Sequence, residues 1–206
     1  MAKVKIIEGA DPAAIADWLE ALLGRRWAAG QGPVAITVPG GSTPFPIFAE
    51  LAKRALDWPR IEVWPGDDRI VPEGHPASNT GKIRSLFEPL GAQVIRLQDA
   101  RDVPPFALAW LGMGGDGHVA SLFPNTDPRA DDPLAIRRLT PDPLPPEAPF
   151  ERITLTIPAL LRSDELMFVI RGDDKRAVFD QAVRGDSDLP VARLLAASRQ
   201  AVTCFA

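Results

Sequence analysis

The stretch FALAWLGMGGDGHVASLFP, residues 106–124, decides the fold. An apolar run, FALAWL, empties into a loop where Gly112, Gly114, Gly115 and Gly117 crowd around Asp116, and His118 follows directly. Gly112, Gly114 and Gly117 fit G-x-G-x-x-G, so a dinucleotide cradle is the first reading to test. That cradle belongs in the first βα unit, with an acidic residue ending the next strand about 20 residues on. Here the glycines come after about half the chain, and the region near 137 reads AIRRLTPDPLPP, which offers no strand with a terminal acid. The cradle reading fails on both counts. A metal reading fares no better. The two histidines, His75 and His118, lie in different loops, and Asp116 with His118 alone makes a poor site. What remains is a single imidazole just after a glycine turn and near an expected helix start. An unperturbed imidazole titrates near pH ~6.5, so it can both take and give a proton at neutral pH. The glycines let a substrate approach the backbone, and the N–H groups of Gly114 and Gly115 are candidate oxyanion donors. The plainer alternative is a histidine packed under a loop.

Working outward, short runs rich in Val and Ile recur at 4–7, 34–38, 61–64, 93–97, 106–111, 152–157, 166–170 and 201–205. Most read as continuous apolar strands buried on both faces, the pattern of a parallel sheet. Helical segments lie between them. Asp11 caps the first, with Pro12 at its first position and Ile15, Leu19, Leu22 and Leu23 at helical spacing. A second starts at Pro44 and runs through Leu56, a third covers 79–87, a fourth 174–184 and a fifth 190–197. Strands alternating with helices predict right-handed βαβ units and a three-layer α/β domain spanning residues 1–206. The proline-rich stretch PDPLPPEAP, 141–149, reads as a surface connection.

Composition narrows the classes. Among 206 residues, 46% are apolar and 24% charged, which suits a globular chain with a real core. The net charge of -4 supplies no basic field for nucleic acid, so an anionic substrate would need locally gathered Arg and Lys. Cys204 is the only cysteine, which excludes a disulfide framework and a cysteine zinc cluster. It reads as a small buried residue in a terminal strand. No basic-then-apolar leader and no long apolar span is present, so a soluble cytoplasmic protein with no membrane partner is expected.

Two more strand-end loops look chemical. In VPGGSTP, 38–44, glycines tighten the turn and Ser42 and Thr43 precede a helix, an arrangement that favours an anion, most often phosphate. The plain alternative is a βα turn with a Ser or Thr cap. The Walker A lysine is missing, so a nucleoside triphosphate is not expected. In WPGDDRIVPEGHPASN, 64–79, Asp67, Asp68 and Arg69 sit at a strand end. Carboxylates accept from sugar hydroxyls and Arg offers a rigid donor fork, although such runs are more often solvated surface clusters. His75 reads as structural or solvated.

GGSTP, then D-D-R-x-V-P with SN nearby, then LGMGGDGHVASLFP, then RITLT and GDDK follow one another from Gly40 to Lys175. Together they resemble the 6-phosphogluconolactonase family and, more distantly, the glucosamine-6-phosphate deaminases. The resemblance implies a three-layer α/β/α fold with a mostly parallel Rossmann-like sheet of the isomerase/lactonase type. It implies hydrolysis of 6-phospho-D-glucono-1,5-lactone in the oxidative pentose phosphate pathway, without metal or cofactor, by a monomer or weak homodimer. It assigns the general base to His118 and substrate contacts to Ser42, Thr43, Arg69, Arg152 and Lys175. The loop readings add Gly41 and Asp67 as candidate substrate contacts, and Asp116 either orients His118 or binds a sugar hydroxyl. Asp68 stands where the family usually has Glu, which shortens that arm. Gly115 stands where many relatives carry a larger residue. In the deaminases the histidine region reads roughly DGHIAFNEP, and its glutamate falls on Phe123 here. An apolar ring cannot polarise an imidazole, so Phe123 favours the lactonase reading. A non-catalytic sugar-phosphate sensor is the remaining alternative, and no helix-turn-helix segment accompanies it.

Overall fold

The structure is a computed structural model and describes residues 3–30, 32–146 and 148–206. In chain order its elements are β1 (Val4–Ile7), α1 (Pro12–Ala28), β2 (Val34–Val38), α2 (Pro44–Leu51), β3 (Ile61–Pro65), β4 (Asp67–Arg69), α3 (Asn79–Phe87), β5 (Gln93–Val94), β6 (Leu108–Leu111), β7 (Ile136–Leu139), β8 (Arg152–Leu155), α4 (Ile157–Leu161), β9 (Glu165–Val169), α5 (Asp173–Arg184), α6 (Pro190–Ala197) and β10 (Ala201–Phe205). Seven strands pair in parallel in the order β1-β10-β9-β6-β2-β3-β5. The expected mostly parallel α/β sheet is present.

The strands are apolar on both faces because both faces are covered. In β9, Leu166 and Phe168 enter one core and Met167 and Val169 the other. In β6, Ala109 and Leu111 divide the same way from Leu108 and Trp110. One core packs α1, α2 and α3 through Ile15, Leu19, Phe48 and Phe87. The other packs α5 and α6 through Phe179, Val191 and Leu194, and takes in Cys204. Each large side chain so buried stabilises by about 1.5–3 kcal/mol. Helix α1 starts as its sequence dictates, with the Ala14 N–H donating to the Asp11 side chain at 2.8 Å and Pro12 next to the cap.

Several elements depart from expectation. RITLTI leaves the parallel sheet. Residues Arg152–Leu155 pair antiparallel with β4 on one side and β7 on the other. The alternation of Arg152, Thr154 and Thr156 with Ile153, Leu155 and Ile157 is the period of such a sheet. The chain turns into it at Gly66, whose N–H donates to the Val38 carbonyl at 2.9 Å while its own carbonyl accepts from Leu155 at 2.9 Å. The region near 137 is therefore a strand after all, an edge strand with Arg137 and Arg138 exposed. The helix from Pro44 stops at Leu51, where Lys53 and Arg54 bond back to Glu50 and Leu51 in a tighter turn. The edge strand at 93–97 is reduced to two residues before a 3-10 turn over Leu97–Asp99. No α-helix begins directly after His118. Val119 instead bridges both Met113 and Leu122, which folds 113–122 into a compact loop. The described part of 141–149 runs mostly exposed, and Glu147 lies outside the described residues.

Candidate active site

The C-terminal ends of β2, β3, β6 and β9 open on one cleft of about 370 Å³. Ligands collect at this end of open α/β sheets. The loop after β2 contributes Gly41, Ser42 and Thr43, the bend after β3 contributes Asp67 and Arg69, the glycine loop contributes Gly114 and His118, and the segment after β9 contributes Arg171 and Lys175. Loops that are 130 residues apart in the chain thus share one wall.

His118 is held by its own loop. Its Nδ1 lies 2.6 Å from the Asp116 carboxylate, which also accepts the His118 backbone N–H at 3.2 Å. The hydrogen bond with His118 holds the Asp116 carboxyl below its usual value of 3.8. An ionised carboxylate can only accept, so Nδ1 carries the hydrogen and Nε2 keeps its lone pair. The imidazole lies against Gly114, where any Cβ would overlap the ring. Gly117 adopts φ 76° above the Leu189 side chain, and its carbonyl accepts from the Val191 N–H at 3.0 Å. The Gly114 N–H, a candidate oxyanion donor, donates to the His118 carbonyl at 3.0 Å and closes the turn. Gly115 is exposed and its backbone faces open space.

The D-D-R stretch divides its labour. Asp68 is buried and accepts from the backbone N–H groups of Arg69 at 2.8 Å, Asn79 at 2.6 Å and Thr80 at 3.0 Å, and from the Ser78 hydroxyl at 3.1 Å. It anchors the N-terminus of α3, where a carboxylate meets unpaired amides and the positive end of the helix. The short arm of Asp suits that task. Asp67 faces the cleft and takes hydrogen bonds from the Ser121 hydroxyl and the Asn79 carboxamide. Burial pushes its carboxyl above 3.8. Arg69 donates to Asn79 at 2.7 Å and to the Ala77 carbonyl at 3.2 Å, and its buried Nε has no partner among the described residues.

Asn79 and Arg171 are site residues that the motif reading passed over. Asn79 bridges Arg69 and Asp67, and its side chain lies where a Cβ on Gly40 would stand. Arg171 is pinned by the carbonyls of Ala10 at 2.8 Å and of Ile170 and Phe205 at 3.2 Å. Ser42 and Thr43 are exposed, and neither hydroxyl caps α2. Lys175 makes no hydrogen bond or ion pair among the described residues. Arg152 does not join the others. It is 2% exposed, does not line the cleft, and donates to the carbonyls of Phe150 and, at 2.7 Å, Ala148. Among the described residues no group of three or more His, Cys, Asp or Glu side chains could hold a metal ion, and no helix is long and apolar enough to cross a membrane.

The sequence matches the family described as glucosamine-6-phosphate isomerases/6-phosphogluconolactonase over residues 10–101 and 90–204. It is 31% identical to a 6-phosphogluconolactonase of Neisseria meningitidis serogroup A, over 93% of this chain and 89% of the relative. It is 34% identical to one of Pseudomonas aeruginosa, over 84% of this chain and 82% of the relative. Among solved structures, a 6-phosphogluconolactonase from Shewanella baltica superposes with a TM-score of 0.84 at 25% identity, covering 100% of this chain and 97% of that one. One from Thermotoga maritima, at 22% identity, shares the fold with a TM-score of 0.80 over 100% of this chain and 99% of that one.

Proposed function

The chain belongs to the glucosamine-6-phosphate isomerase/6-phosphogluconolactonase family, and we propose that it hydrolyses 6-phospho-D-glucono-1,5-lactone to 6-phospho-D-gluconate. The observation that carries this reading is a carboxylate-oriented imidazole in the same cleft as three cations, Arg69, Arg171 and Lys175, within a chain of net charge -4. A local gathering of cations against an acidic background fits a phosphorylated substrate.

His118 Nε2 takes a proton from water, and the oxygen attacks the C1 carbonyl. Charge on the carbonyl oxygen is met by the Gly115 amide or by Arg69. The tetrahedral adduct collapses, the bond from C1 to the ring oxygen breaks, and the His118 imidazolium protonates that oxygen. One group serves both steps. Asp116 steadies the imidazolium as it forms. Lys175, a compact charge, and Arg171 hold the phosphate with the Gly41, Ser42 and Thr43 loop. Asp67 accepts from a sugar hydroxyl. General base catalysis of roughly 10²–10⁴-fold plus positioning suffices for an already activated ester. No cofactor enters these steps, and the setting is the cytoplasmic oxidative pentose phosphate pathway.

Phe123 supports hydrolysis over ring-opening deamination. Its ring centroid lies 4.6 Å from that of His118, so no carboxylate contacts the imidazole from that position. Supplying the phosphorylated lactone and glucosamine 6-phosphate separately tests the reading. Acid release from the first and no ammonia from the second is expected. Ammonia release, or binding of 6-phosphogluconate without any turnover of the lactone, overturns it.

A further inference from the structure

Arg152 is a buried cation that the proposed chemistry does not use. It lies directly opposite Arg69 in the β4–β8 pair, on the same face of the small sheet. Like charges placed so repel each other. Burial, and then Arg69, push the Arg152 guanidinium below its usual value. The charges of Asp67 and Asp68 oppose that shift. Arg69 turns into the cleft while Arg152 turns away from it. A buried charge needs partners, and Arg152 finds two carbonyls, those of Phe150 and Ala148, together with the face of the Phe123 ring, 6.0 Å from the guanidinium carbon to the centroid. The same ring also meets the His118 imidazole, with centroids 4.6 Å apart and planes inclined by 43°. Guanidinium, phenyl ring and imidazole thus stand in series.

Resting on the lactonase reading, we propose that Arg152 and Phe123 are positioning residues. Arg152 fixes the Phe123 ring, and the ring sets the orientation of His118. Asp116 holds the imidazole at Nδ1 and Gly114 lies against it, which still leaves the ring room to tilt about that hydrogen bond. The Phe123 ring, a wall beside it, removes this freedom. The wall stays in place because the cation behind it is itself tied to the 148–150 backbone. A shift of about 1 Å in a reacting group can cost about 10²-fold in rate, so a wall is a physically sufficient role. Arg152 also reaches the second histidine. His75 packs edge-on against Phe150 at 5.4 Å, and Phe150 is the residue whose carbonyl Arg152 holds.

The chain has only two histidines, which makes their ring signals in NMR separable reporters. The test compares Phe123→Leu and Arg152→Gln with the parent chain. Phe123→Leu should displace the ring signals of His118 and leave those of His75 in place. Arg152→Gln should displace both pairs. In the lactonase assay each variant should lower kcat by about tenfold or more, with KM for the phosphorylated lactone and inhibition by inorganic phosphate held within about twofold. Arg152→Lys, which keeps the charge and one donor, should recover part of the lost kcat. An increase of about tenfold or more in KM and in the phosphate inhibition constant for Arg152→Gln, with kcat unchanged, would make Arg152 a substrate ligand and overturn the proposal. Unmoved His118 signals in Phe123→Leu overturn it too, and that variant answers even if Arg152→Gln fails to fold. A parent chain inactive on the lactone would sink the lactonase reading alone, because the NMR pattern tests the stack without turnover.

Discussion

The two histidines of this chain each follow a glycine in a loop and meet opposite hydrogen-bond partners. His75, between Gly74 and Pro76, accepts the Ala77 N–H at Nδ1 over 3.0 Å. That bond puts its hydrogen on Nε2, in an exposed loop that does not line the cleft. His118 meets a carboxylate at Nδ1 over 2.6 Å, so in the neutral imidazole the hydrogen sits there and Nε2 is the acceptor, on a residue that lines the cleft. An imidazole becomes a usable base through the partner on its far nitrogen and the place its near nitrogen points. Flanking glycines alone do not distinguish the two.

The largest effect should come from replacing each in turn. His118→Asn is expected to lower kcat/KM on the phosphorylated lactone by about 10²–10⁴-fold, while His75→Asn stays within about twofold. Comparable losses in both would dissolve the contrast. Next is the partner. Asp116→Asn leaves the shape in place but removes the acceptor that selects the tautomer, so kcat should fall at least about tenfold. The same variant carries a pH signature. A carboxyl held below 3.8 contributes stability above that value and loses it as pH falls through its lower folded value. The parent chain should therefore lose, between pH 4 and the acid limit, a stability increment that Asp116→Asn lacks throughout; equal acid unfolding curves in urea would contradict this.

Smaller effects separate neighbouring residues. Gly114→Ala places a Cβ into the His118 ring, whereas Gly115→Ala meets nothing within 4 Å. The first should destabilise by about 1–3 kcal/mol and slow turnover, and the second should leave stability within about 0.5 kcal/mol. Denaturant midpoints decide between them. The least perturbing change is at Asp67. Burial raises its carboxyl, so the ionised group opposes folding, and the opposition grows as pH rises through the raised value. Asp67→Asn should then raise Tm at neutral pH, by about 2–4 °C for each kcal/mol recovered, while weakening substrate binding. A lower Tm at pH 7 together with an unchanged KM would refute that assignment.

Much of this was legible in the residues. Apolar runs such as LMFVI announce strands buried on both faces, and the spacing of Ile15, Leu19, Leu22 and Leu23 announces α1. The glycine loop at a strand end marked His118 as a candidate, and the structure brings it into one cleft with Arg69 and Lys175. What the sequence hid depends on pairing across distance. Arg152, given a substrate contact by the resemblance, is buried against the carbonyls of Phe150 and Ala148 and does not line the cleft. Asn79 gains its place because Asp68 draws the start of α3 beneath the cleft. The Gly114 amide, a candidate donor in the sequence, spans the turn to the His118 carbonyl. In each case the side chain or amide had two plausible partners, and only the tertiary arrangement selects one.

The account rests on one polarity, with the reacting carbon at His118 and the phosphate at Lys175 and Arg171. A crystal structure of the chain with 6-phospho-D-gluconate measures it directly. The product carboxylate should lie within hydrogen-bond reach of His118 Nε2, with its phosphate against Lys175 and Arg171. A product bound the other way round, or with its phosphate on Arg152 and its carboxylate away from His118, would contradict it.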